Sequence, residues 1–151
     1  MDDLEIYFAA SISGGRGDVH IYLEIINHLG KYGKVLTEMI GDKKLGEMGE
    51  SLDDRIIHNR DMVWLGKSSV LVAEVTTASL GVGYELGRIT ERNLWVPEQS
   101  GKDILCLYRP QINKRLSAMI NGCDGLTCKK YNKIEEAKIE IDSFLKEFGY
   151  I

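Results

Sequence analysis

Short apolar runs alternate with segments of helical periodicity along the whole chain, and this alternation constrains the fold more than any other feature of the sequence. LEIYFAA at 4–10 reads as a strand. DVHIYLEIINHLGKYG at 18–33 reads as a helix, with Ile21, Ile25 and His28/Leu29 recurring at helical spacing. KVLTEM at 34–39 reads as a second strand, SLDDRIIHNRDMVWLGKS at 51–68 as a helix capped by Ser51, and SVLVAEV at 69–75 as a buried third strand. A helix over 81–92, a strand over 103–109, a short helix over 111–121, a weak strand over 126–131 and an amphipathic helix over 134–149 complete the series. Such an order predicts an α/β fold: five parallel strands with helices on both faces, in a flavodoxin-like or Rossmann-like three-layer arrangement. Two stretches resist the pattern, 41–51 and 93–102, and both read as surface loops.

At 151 residues the expectation is one domain spanning 1–151. A formal charge of −4 gives no general attraction for nucleic acid or an anionic membrane, so neither is expected as a partner. MDDLEIYFAA carries two acids where a secretory signal would carry positive charge, and no run approaches the ~20 apolar residues of a membrane span. The expected location is the cytoplasm, with the nucleus also open. Cys106, Cys123 and Cys128 contain no C-x-x-C pair and the three histidines are scattered, so neither a disulfide framework nor a metal site is expected, and no cofactor is implied.

Ligands of open α/β sheets bind beyond the carboxyl ends of the strands, where loops lead into helices. After the first strand comes SISGGRGD, residues 11–18. Its small residues allow backbone N–H groups to approach an anion, its serines add donors, and Arg16 offers a donor fork. It is either a phosphate cradle or a plain strand–helix turn, and it matches neither the P-loop nor the dinucleotide fingerprint. After the third strand comes VTTASLGVG, with Ser79 facing the strand ends and Glu85 close behind in the next helix. Glu85 either complements the helix dipole or serves as a nucleophile. Asp61, in HNRDMVW, lies one turn from His58 and from Trp64, either on a solvated face or in a site. Tyr7 belongs to the core or points to the same sheet end, and Glu74, an acid in an apolar strand, competes with Glu85.

The segments YFAASISGGRGD, GKVLTE, HNRDMVWL, VLVAEVTTASLGVGYELGR, ILCLYRP and RLSAMI, in this order over roughly residues 5–120, resemble the 2′-deoxynucleoside 5′-phosphate N-hydrolases of the nucleoside 2-deoxyribosyltransferase superfamily. The resemblance implies hydrolysis of deoxynucleoside monophosphates. Glu85 matches the nucleophile, Asp61 the acid that assists departure of the base, and Tyr7 the tyrosine that positions nucleophile and sugar. Ser11, Ile12, Ser13, Gly14, Gly15 and Arg16 match the phosphate loop, and Ser79 and Gly81 a second contact with substrate. Ser117, with Ala118 and Met119, matches a segment that reaches the phosphate of a neighbouring subunit, so a homodimer is implied.

Relatives carry SIRGGRED where this chain has SISGGRGD, and a histidine where it has Met39. Ser13 therefore replaces a cationic phosphate contact, and base preference stays open. Three other readings remain: a nucleoside 2-deoxyribosyltransferase, a nucleotide-binding module without catalysis, and a relative that cleaves ribonucleotides.

Overall fold

The computed structural model describes residues 4–12, 17–41 and 50–151. Its five strands are β1 (Glu5–Ala9), β2 (Lys34–Val35), β3 (Val70–Glu74), β4 (Asp103–Tyr108) and β5 (Thr127–Lys130). All pair in parallel, in the order β2-β1-β3-β4-β5, the flavodoxin-like alternative of the two expected. The helices are α1 (Val19–Leu29), α2 (Asp54–Lys67), α3 (Leu80–Trp95), α4 (Ala118–Asn121) and α5 (Ile134–Glu147).

Strand alternation sorts side chains into two cores. Ile6 and Phe8 of β1 with Val70 and Val72 of β3 pack against Tyr22 and Ile25 of α1 and Ile141 and Phe144 of α5. On the other face Tyr7, Ala9, Leu71 and Ala73 meet Leu65 of α2 and Leu86 and Ile89 of α3. An odd-numbered β1 residue therefore looks toward α3. Tyr7 is such a residue, and this places its ring under the helix that carries Glu85.

The second strand is shorter than KVLTEM predicts. Lys34 and Leu36 donate their N–H groups to the carbonyls of Leu4 and Ile6, and then the Thr37 hydroxyl takes over, accepting from Phe8 N–H at 2.9 Å and donating to Phe8 C=O at 2.6 Å. A side chain thus satisfies the β1 backbone where the ladder stops, and the chain turns into a 3-10 segment, Glu38–Gly41. Gly33 is required at the entry to β2, because a Cβ there would lie 2.2 Å from Leu4 C=O.

Three other sequence expectations are corrected. Asp53 caps α2, not Ser51: its carboxylate accepts from Arg55 N–H at 2.9 Å. The helix expected over 111–121 shrinks to Ala118–Asn121, because the preceding loop turns through Asn113 in the left-handed region (φ 60°). The loop expected over 93–102 is largely ordered structure. Helix α3 continues to Trp95, a 3-10 turn spans Glu98–Ser100, and the Asn93 amide clasps the Lys102 backbone by two hydrogen bonds, 2.9 and 3.0 Å. Lys102 Nζ then donates to the carbonyls of Gly66 and Ser68, closing the end of α2.

Cys106, Cys123 and Cys128 carry free thiols. Among the described residues no helix is long and apolar enough to cross a membrane, and no cluster of three or more His, Cys, Asp or Glu could hold a metal.

Candidate active site

Helix α3 begins where β3 leaves the sheet. Ser79 is its N-cap, accepting from Val82 N–H at 3.3 Å, and Glu85 falls in the second turn. A dipole effect fades beyond the first turn, so helix electrostatics account poorly for a carboxylate at this depth. Gly81 sits one turn earlier on the same helix face. A Cβ there would meet only Ser79 Oγ, at 3.8 Å, so glycine leaves open the space beside the carboxylate.

Into that space come Tyr7 from β1 and Asp61 from α2. The Tyr7 hydroxyl donates to Glu85 Oε1 at 2.9 Å. Tyr7 is 1% exposed; burial and the two carboxylates hold its phenol well above the usual range, so it stays a donor at any working pH. Burial pushes the Glu85 carboxyl up to about 7, against the lowering effect of the Tyr7 hydrogen bond, and the Asp61 charge adds to the rise. Burial also raises Asp61, opposed by Arg60.

Arg60 organises this acid in a way the sequence reading missed. Its guanidinium makes two 2.6 Å bonds to Glu50 and bonds of 2.9 and 3.0 Å to Asp61 Oδ1, and it lies 4.6 Å above the Trp64 ring. Asp61 Oδ2 takes no hydrogen bond among the described residues. His58, expected to share a face with Asp61, instead bonds Tyr84 Oη at 2.9 Å. Arg60 stands next to Asp61 in HNRDMVW, which was the available signal; Glu50, ten residues upstream, gave none.

The cleft is completed by Ala9, Ala10, Ile12, Thr37, Met39, Ile40, Ile57, Ser79, Gly81 and Val82. Ile12, Met39, Ser79 and Gly81 thus line the cleft. Ser11 lies at the β1 end, fully buried, its hydroxyl without a partner among the described residues. Ser13, Gly14, Gly15 and Arg16 lie outside the described residues. Ser117, Ala118 and Met119 are exposed and do not line the Glu85 cleft of their own chain; Ser117 and Met119 border a neighbouring apolar groove with Leu80 and Leu116. Glu74 is absent from the cleft. By strand alternation it points to the α1/α5 side, where its carboxylate accepts from the Thr76 N–H and hydroxyl.

No protein-family model matches the chain. Individual relatives do. A Nematostella vectensis protein named as a 2′-deoxynucleoside 5′-phosphate N-hydrolase is 53% identical over 123 residues, covering 80% of this chain and 78% of its own. The 5-hydroxymethyl-dUMP N-hydrolases of Danio rerio and Homo sapiens are each 46% identical, over 146 and 138 residues. The zebrafish match covers 96% of this chain and 95% of that protein, the human match 89% and 74%. Among solved structures, a CMP N-glycosidase of Clostridium botulinum superposes with a TM-score of 0.63 at 16% identity, over 93% of this chain and 99% of that one, a likeness of fold. The chain is an α/β enzyme of the class that hydrolyses N-glycosidic bonds. Within that class it belongs to the 2′-deoxynucleoside 5′-phosphate N-hydrolase family.

Proposed function

We propose that this chain hydrolyses 2′-deoxynucleoside 5′-monophosphates to free base and 2-deoxyribose 5-phosphate through a glycosyl-enzyme on Glu85. The observation that carries the reading is the 2.9 Å hydrogen bond from Tyr7 to Glu85 in a cleft that also receives Asp61. Glu85 attacks C1′ as the C1′–N bond breaks and its electron pair leaves with the base; Asp61 gives the base a proton. Asp61 then takes a proton from water, which attacks C1′ and frees Glu85.

The two carboxyls have to divide one proton between them in a particular way. Glu85 must be ionised to attack and Asp61 protonated to donate. With Glu85 raised to about 7 by burial, the Tyr7 hydrogen bond and the positive charge developing on the sugar both pull it toward the ionised form. The proton it gives up is then available to Asp61, whose own affinity burial has raised. A 2′-hydroxyl would withdraw electrons from the cationic sugar and crowd Glu85, which favours a deoxyribose substrate.

The phosphate is assigned to Ser11, the 13–16 segment and Ser79. Ser79 Oγ accepts from Val82 N–H, so its own hydrogen remains free for a phosphate oxygen. Ser117 acts on the site of a second copy in a homodimer. Its absence from the lining of the cleft of its own chain supports this, as do the neighbouring apolar side chains Leu80 (96% exposed) and Met119 (83%), which a second copy would cover.

The test is chromatography of purified protein with each deoxynucleoside monophosphate, GMP as ribose control, with and without excess adenine, and Glu85→Ala as blank. Base and deoxyribose 5-phosphate released irrespective of adenine support the hydrolase. New adenine nucleoside or nucleotide assigns a transferase instead, and no turnover leaves a binding module.

A further inference from the structure

A second concavity, about 360 Å³, opens at the carboxyl ends of β4 and β5 and shares no lining residue with the Glu85 cleft. Four cationic residues line it: Lys114 and Arg115 from the loop after β4, and Lys129 and Lys130 from β5. No carboxylate lines it, and none of the four forms a salt bridge among the described residues. Elsewhere in the molecule Arg60 pairs with Glu50 and Asp61, Arg109 with Asp18, and Lys138 with Glu24.

Lysines on an edge strand discourage pairing with another chain, which gives Lys129 and Lys130 a reason of their own. It gives none for Lys114 and Arg115, which a built loop brings to the same place. Tyr108 Oη donates to Lys114 C=O at 3.3 Å, Lys114 N–H donates to Gln111 C=O at 3.3 Å, and Asn113 supplies the left-handed turn between them. The parallel register sets Tyr108 beside Lys130, and Tyr131 N–H donates to Tyr108 C=O at 3.0 Å. In a chain of net charge −4, four unmatched cations around one cavity repel one another until an anion arrives.

We propose that this cavity binds a triphosphate chain, as carried by a nucleoside triphosphate or by inorganic polyphosphate, at a site separate from the Glu85 cleft. A single phosphate would neutralise about half of the four cations, whereas a triphosphate matches them in charge and in length of contact. Tyr108 offers an apolar floor on which a nucleoside could lie.

Isothermal titration of the full chain with ATP, and separately with inorganic tripolyphosphate, tests this. Both probes should bind one per chain, weaken as salt is added, and lose at least tenfold in affinity in Lys114→Gln/Arg115→Gln and in Lys129→Gln/Lys130→Gln. Arg60→Gln, in the other cleft, should leave binding unchanged. ATP binding more tightly than tripolyphosphate identifies a nucleoside triphosphate, and equal affinities identify the polyphosphate chain alone; either outcome supports the site. No binding at millimolar probe, binding that survives both double variants, or binding lost in Arg60→Gln overturns it. So does a single-stranded oligonucleotide that binds more tightly than either probe and is lost in the same variants.

Discussion

Two glutamates, one at the end of β3 and one in the second turn of α3, are both lifted by burial to about 7, yet their surroundings have little else in common. Glu74 is fully buried on the α1/α5 side of the sheet, bound by Thr76 and close to the Asp18–Arg109 ion pair, with Oε2 unpartnered among the described residues. Glu85 lines a cleft on the other side, with a tyrosine donor on one oxygen and a second carboxylic acid opposite. A raised pKa marks both and so selects neither. What separates them is a route to a ligand and a partner acid, which Glu85 has from the second turn of α3 and which Glu74, turned by strand alternation to the α1/α5 side, lacks.

The sharpest break of this comparison is to neutralise each in turn. Glu85→Gln should lower the rate of base release by roughly three orders of magnitude or more, while Glu74→Gln stays within about threefold of wild type. Comparable losses in both would dissolve the distinction. Asp61→Asn should lose about 10²- to 10⁴-fold in kcat, the usual range for a positioned acid, with a smaller loss for base analogues that leave as stable anions.

Tyr7→Phe is expected to cost about 10- to 100-fold, as for a hydrogen bond to a charged group. It should also move the pH profile. The rising limb reports ionisation of Glu85, and because the Tyr7 hydrogen bond lowers the Glu85 pKa, its removal should shift that limb to higher pH. An unmoved limb would mean that Tyr7 packs without tuning the nucleophile.

The last effect is on stability. A carboxyl raised from 4.5 to about 7 by folding binds more protons in the native than in the unfolded chain between those values. Its contribution is therefore fully present below pH 4.5 and lost as pH rises through 7, by about 3 kcal/mol for Glu74. Denaturant melts of Glu74→Gln across that window should show a flatter pH dependence than wild type, and an identical slope would place Glu74 in a wetter environment than the fold provides.

Much of this was legible in the sequence because it rests on periodicity. The apolar run Val70–Ala73 and the helix-spaced residues of 18–33 specify buried parallel strands and covering helices without reference to anything distant. What escaped depends on contacts between remote segments. The Thr37 hydroxyl that ends β2 needs Phe8, the Lys102 ammonium that closes α2 needs Gly66 and Ser68, and the clamp on Asp61 needs Glu50. In the site, Glu85, Asp61 and Tyr7 were each ambiguous as single residues. Their meeting in one cleft is a product of the β2-β1-β3 order, which sets β1 next to the strand that feeds α3.

The central claim is that Glu85 forms a covalent bond to the sugar. Intact mass of enzyme quenched in acid during turnover of a deoxynucleoside monophosphate, followed by peptide mapping, tests it most directly. The account predicts a mass increment of one deoxyribosyl 5-phosphate group, confined to the peptide carrying Glu85 and absent in Glu85→Gln. An adduct on another residue, or full turnover by Glu85→Gln, would contradict it.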